Sequence, residues 1–127
     1  MNSEKVVFAF FVLLAAALNV GFVWGTIDNP DHHPAFELFA ALVINLVATV
    51  LKLGDRSHLG SVLLATSLVA DVLLVAAAVY WGIQSQVYGL GEAPATIAKV
   101  VSLAAGALFA NIASTVLLVI ETASVRR

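Results

Sequence analysis

Residues 61–83 read Ser61-Val62-Leu63-Leu64-Ala65-Thr66-Ser67-Leu68-Val69-Ala70-Asp71-Val72-Leu73-Leu74-Val75-Ala76-Ala77-Ala78-Val79-Tyr80-Trp81-Gly82-Ile83, an apolar run broken near its centre by one acidic residue, Asp71. A run of about 20 apolar residues is what a helix needs to cross the hydrocarbon of a bilayer. No water is available there to satisfy backbone N–H and C=O groups, so the segment must be helical. Three more stretches meet the same criterion: Val6–Gly25, Ala35–Leu53 and Ile97–Ile120. The reading is therefore all-α, a polytopic membrane protein whose single domain (1–127) is a four-transmembrane-helix bundle with short loops.

Composition supports this. Of 127 residues, 61% are hydrophobic and 11% charged, with a mean hydropathy of +1.02. Soluble domains are about one-quarter charged, and so short a chain cannot bury this apolar excess within itself, so lipid must solvate much of it. The chain has no cysteine, hence no disulfide and no thiolate chemistry, and its net charge of −2 gives no footing for nucleic acid. The opening Met1-Asn2-Ser3-Glu4-Lys5 lacks net side-chain charge, and the apolar run after it is longer than a signal-peptide core. The first segment reads as a retained span.

Turn chemistry separates the spans. Thr26 to Pro34 closes the first hairpin, with Pro34 suited to a first helical turn; Gly54 suits a left-handed helix end, and Ser57 can cap the third helix. Gln84 to Pro94 is the longest loop, with Gly89, Gly91 and Pro94 as breakers. Lys5, Lys52, Arg56, Arg126 and Arg127 fall at the N-terminus, second loop and C-terminus. The first loop has no Lys or Arg, and the third region has only Lys99. The positive-inside rule then puts both termini in the cytoplasm. Trp24, Tyr80, Trp81 and Tyr88 map to the opposite end, where an interfacial aromatic belt belongs.

Function is sought in the polar residues inside the spans. A charge at the centre of a span costs about 2.5–3.5 kcal/mol on insertion scales, and Asp71 lies there. Asn45 is central in the second span, and Asn19 and Asn111 lie within roughly 5 Å of the midplane of the first and fourth. Two readings stand side by side. These groups are structural glue, hydrogen-bonding between helices for about 0.6–2 kcal/mol each, or they form a proton- or cation-handling site around Asp71. Glu37, Ala41, Asn45 and Thr49 recur every four residues, and Lys52 and Arg56 continue near that face. Such a stripe must face other helices or water. Helix two is thus the candidate lining of a polar pathway, with Glu37 at its outer mouth; the alternative is that Glu37 sits at the interface and Lys52 snorkels.

In helix four, Ala98, Ser102, Gly106, Ala110 and Ser114 form a small-residue seam, and Ala17-Gly21-Gly25 a shorter one in helix one. Small seams allow close helix approach, either between protomers of a homo-oligomer or within one monomer. Asp28, Asp31, His32 and His33 gather in the first loop but match no metal-ligand spacing, so no metal is expected. No cofactor is expected either, since no span holds a histidine for haem.

Two known families of small four-span transporters fit poorly. Small multidrug exporters carry a glutamate in their first span, where this chain has Asn19 and no acid. Dual-topology fluoride channels use a phenylalanine-rich third span, and residues 61–83 contain no Phe. The sequence instead resembles a family of uncharacterised small four-span proteins of proteobacterial inner membranes. The resemblance rests on Ile27-Asp28-Asn29-Pro30, Ala48-Thr49-Val50-Leu51-Lys52-Leu53-Gly54-Asp55-Arg56, Leu63-Leu64-Ala65-Thr66-Ser67-Leu68-Val69-Ala70-Asp71 and Leu118-Val119-Ile120-Glu121-Thr122. It implies a bacterial inner-membrane location and carries over no catalytic residue.

The expectation is a non-enzymatic, oligomeric membrane protein that forms or contributes to a cation or proton pathway. Asp71 would be its charge site, with Asn45, Asn111, Asn19, Glu37 and Thr49 along it. A homo-oligomer or a larger membrane complex is the expected partner. The competing expectation is a non-conducting accessory or scaffold subunit that docks through its small-residue seams.

Overall fold

The computed structural model describes residues 3–54 and 57–125, without the side chains of residues 3, 4, 122, 124 and 125. Arg56, Arg126 and Arg127, on which the charge-based orientation leans, lie outside the described residues. Four helices make up the described chain: α1 (Ser3–Val23), α2 (Ala35–Lys52), α3 (His58–Gln86) and α4 (Pro94–Val125), with a short 3-10 turn, Pro30–His32, in the first loop. All four are long and apolar enough to cross a membrane. Each packs against its neighbours in the chain, and α1 closes the ring against α4. This is an up-down-up-down bundle, as short loops require of antiparallel neighbours.

The helix boundaries follow from local chemistry. Ser57 Oγ accepts from the Gly60 N–H at 3.0 Å, capping α3, and Gly54 takes the left-handed conformation beyond α2, at φ 92°. Pro34 stands one residue before α2, at the N-cap, rather than inside its first turn. The third connection is shorter than the sequence indicates, because α3 runs on to Gln86. The Leu90 N–H returns to the Gln84 carbonyl at 2.7 Å, and the Trp81 indole N–H donates to the Gly91 carbonyl at 2.8 Å. These bonds fold the glycines back over the end of α3, so the polar residues Gln84, Ser85 and Gln86 remain helical.

Buried apolar residues form two clusters. One, towards the end that bears loops one and three, gathers Phe22, Leu38, Leu74, Ile97 and Val100 with the alanines of α3 and α4. The other, at the opposite end, joins Phe8, Val12, Ala48 and Leu63. Outward-facing side chains such as Phe109, Val72 and Val116 are apolar and exposed, as a lipid-contacting surface must be. Between the two clusters lies a polar layer. Asn19, Asn45, Ser67, Asn111 and Ser114 fall in the gap, and Thr49 and Asp71 lie one residue from its edges.

Candidate functional site: a polar layer inside the bundle

The polar layer resolves into pairs of facing helices. On α1 and α4, Asn19 is fully buried. In the amide orientation its surroundings select, its Nδ2 donates to the Ala104 carbonyl at 3.0 Å. Its oxygen accepts from Asn111 Nδ2 at 3.0 Å and from the Leu108 N–H at 3.1 Å. Ala104 and Leu108 stand four residues apart, the two ends of one rung of an α-helical ladder. The Asn19 amide therefore braces the backbone of α4 directly. Only small side chains permit that approach, and Ala104 and Ala107 supply them.

On α2 and α3 the arrangement is different. Asn45 Nδ2 donates to the Ala41 carbonyl of its own helix at 2.9 Å. Thr49 Oγ1 lies 3.0 Å from the Asn45 carbonyl and 2.5 Å from Asp71 Oδ2. Asp71 is only 6% exposed, and its other oxygen, Oδ1, is buried with no hydrogen-bond partner among the described residues. An orphaned carboxyl oxygen of this kind is rare and costly in a folded chain. Ser67, one turn away on α3, is also buried. Below it, Thr66 Oγ1 and Ser114 Oγ meet at 2.5 Å, linking α3 to α4.

The stripe on α2 faces inward: Ala41, Asn45 and Thr49 are buried, and Glu37 and Lys52 half-buried. Glu37 lies against Gly21 of α1, where a Cβ would come within 2.8 Å of Oε2. Lys52 Nζ sits 4.7 Å from the Phe8 ring centroid, a cation–π contact at the opposite end. Asp71 and Thr49 are thus joined directly, with Asn45 touching the pair through its carbonyl. Asn19 and Asn111 form a separate, mutually satisfied pair.

The seam on α4 does not run along one face. Each four-residue step advances about 40° around a helix of 3.6 residues per turn, so the line winds from outside to inside. Ser102 is exposed and donates to the Ala98 carbonyl of its own helix at 2.8 Å. Gly106 is half-buried, with Leu73 of α3 close to it, and Ala110 and Ser114 are buried. The shorter seam on α1 breaks up in the same way. Ala17 is exposed, Gly21 meets Glu37, and Gly25 lies past the helix in a left-handed turn at φ 110°.

Sequence reading attached no role to His33 beyond a polar turn. It is fully buried, with Nδ1 2.5 Å from the Phe22 carbonyl and Nε2 2.7 Å from the Thr26 carbonyl. Both ring nitrogens face backbone carbonyls, so the ring is held at two points. His32 takes the opposite role, its Nδ1 accepting from the Thr26 N–H at 2.8 Å. With these nitrogens engaged by the backbone, the two rings fasten the first loop to the end of α1. No group of three or more His, Asp or Glu side chains able to hold a metal occurs among the described residues. The signal available in the sequence was the adjacency of His33 to Pro34 at a helix start, but its carbonyl partners lie 7 and 11 residues away.

A family model matches residues 32–122, which span α2, α3, most of α4 and the Asp71–Thr49 pair. The chain belongs to DUF6394, a family of unknown function. No curated protein and no solved structure matches it. Membership agrees with the resemblance drawn from sequence and brings no assigned chemistry, so function has to be argued from the polar layer.

Proposed function

We propose that this member of DUF6394 is a small oligomeric protein of the bacterial inner membrane that forms, or contributes to, a cation or proton pathway centred on Asp71. The observation that carries this reading is the carboxyl group itself. It is buried at the mid-depth of the bundle, tied at one oxygen to Thr49 and left at the other without a partner among the described residues. A group needed only for packing would have both of its polar atoms satisfied, as the nitrogen and oxygen of the Asn19 amide are. Intramembrane carboxyls that face a bundle interior mark ion and proton routes in membrane proteins generally.

The half-buried Glu37 at one end and Lys52 at the other extend the polar face of α2 towards both surfaces. Both termini would lie in the cytoplasm, with Trp24 and Tyr88, exposed at the other end of the bundle, in the outer interface. Asp71 is buried inside the bundle of a single chain, so a route through it would follow the inward face of α2. The test is ion flux into liposomes holding purified wild type or Asp71→Asn, with H⁺, Na⁺ and K⁺ compared. Flux in the wild type, lost in a variant of unchanged size and helicity, supports the reading. Absence of flux from well-assembled wild type refutes a stand-alone conductor.

A second reading, an accessory subunit docked on a larger membrane complex, draws on Ser102. This small residue faces away from the bundle beside half-buried Ala98 and Gly106, where a helix of another chain could approach closely. Under it, Ser102→Phe would release a partner, while Asp71→Asn would alter stability alone.

A further inference from the structure

The hydrogen atoms around Thr49 have to be counted. Its Oγ1 lies within bonding distance of two acceptors, the Asn45 carbonyl at 3.0 Å and Asp71 Oδ2 at 2.5 Å. A hydroxyl has one hydrogen. With Asp71 ionised, that hydrogen serves one contact and the other brings two oxygen lone pairs together in a buried site. With Asp71 as the carboxylic acid, Oδ2–H donates to Thr49 Oγ1, and Thr49 donates its own hydrogen to the Asn45 carbonyl. Both contacts are then hydrogen bonds. The orphaned Oδ1 becomes the oxygen of a neutral acid, far cheaper to bury unpaired than an ionised carboxylate.

A divalent metal ion meets the opposite conditions. Hard divalent cations take about six or more oxygen ligands. Oδ1 has no polar partner here, and no metal-holding cluster of acids or histidines occurs among the described residues.

Resting on the pathway reading above, we propose that the species handled at this site is a proton, held between Asp71 and Thr49, and that the Thr49 hydroxyl is the element that reorients as the proton comes and goes. On uptake an O–H bond forms at Oδ2 and the negative charge of the carboxylate disappears. The Thr49 hydrogen swings from Oδ2 to the Asn45 carbonyl. On release the O–H bond breaks, the proton leaves to water, and the Thr49 hydrogen returns to Oδ2. One proton enters and one leaves, with no electron transferred. The hydroxyl has an acceptor in both states, so neither state leaves it unpaired. Thr49 is a positioning residue whose role needs a hydroxyl and not a methyl group.

The experiment combines two readouts on the full chain in liposomes. Infrared difference spectra report a protonated carboxyl through its C=O stretch, assigned by its loss in Asp71→Asn. An entrapped pH dye and ion-selective electrodes compare H⁺ with Na⁺ and K⁺. The expected result is a protonated-carboxyl band at neutral pH and Asp71-dependent proton flux. That flux should fall roughly tenfold or more in Thr49→Val and survive in Thr49→Ser, all variants keeping wild-type size and helicity. Asp71-dependent flux of Na⁺ or K⁺, or absence of the band, overturns the proton assignment and leaves the pathway reading standing. A clear band with no flux of any ion overturns the pathway reading, and with it the claim that the proton is conveyed. Equal proton flux in Thr49→Val and wild type overturns the role of the hydroxyl.

Discussion

Replacing Asn19 by leucine tests whether the polar layer holds the bundle together at the α1–α4 contact. Leucine keeps the branched shape near the backbone and removes three hydrogen bonds, to Ala104, Leu108 and Asn111. In lipid such interhelical bonds are worth about 0.6 kcal/mol on average and reach about 1.7 kcal/mol, so three give roughly 2 kcal/mol. Some of that is recovered, because the Ala104 carbonyl and Leu108 N–H can close on each other as a helix rung. Asn111 Nδ2 loses its Asn19 partner at a buried position, at a cost of about 1 kcal/mol or more. The expected destabilisation is about 1–3 kcal/mol. Reversible unfolding in mixed micelles, followed by far-UV circular dichroism, measures it. The double variant Asn19→Leu with Asn111→Leu supplies the sharper reading: the two should be sub-additive, with a coupling of about 0.6–1.7 kcal/mol. Wild-type stability in Asn19→Leu, or strict additivity in the double variant, would refute the pairing.

Other expectations concern the ends of the bundle. His33→Phe leaves the buried Phe22 carbonyl without its imidazole partner, so the first hairpin should loosen by about 1–3 kcal/mol; faster proteolysis in loop one would register this, and unchanged protection would count against it. Gly91→Ala should also destabilise, by about 1–3 kcal/mol, because the new Cβ would come within 3.2 Å of Ser85 Cα, part of the backbone. Since Trp81 is bonded to Gly91, its near-ultraviolet signal should change with the substitution. By contrast Gly21→Ala meets only the end of the Glu37 side chain, which can swing aside, and a stability change above about 1 kcal/mol would contradict that contact. The chain lacks cysteine, so single cysteines at His58 and Glu92 can be labelled without background in intact cells and in inverted vesicles. His58→Cys should react only from the cytoplasmic face and Glu92→Cys only from the outer one; the reverse pattern would invert the assigned orientation.

The four spans, their order and their approximate ends were determined by the sequence alone. The reason is that the bilayer acts on local properties: about 20 apolar residues and internally satisfied backbone are conditions each segment meets by itself. Asp71 declared itself for the same reason, as an acid that hydrocarbon does not tolerate without cause. The inward stripe Ala41, Asn45 and Thr49 was equally legible, because helical periodicity puts those positions on one face. Partnership was not legible. Nothing in the spacing of Asn19, Asn45, Asp71 and Asn111 says that they part into an α1–α4 amide pair and an α2–α3 acid–hydroxyl pair. That depends on which helices face each other and on their vertical register. The winding of the α4 seam, which turns Ser102 outward and Ser114 inward, came from the same source. His33 is the clearest instance, since two carbonyls from the end of α1 and the loop after it converge on one ring only when the hairpin closes. Tertiary structure alone decided that one oxygen of Asp71 is tied to Thr49 and the other to none of the described residues, because a hydrogen bond is set by positions to within tenths of an ångström, far finer than the helical repeat that sequence can report.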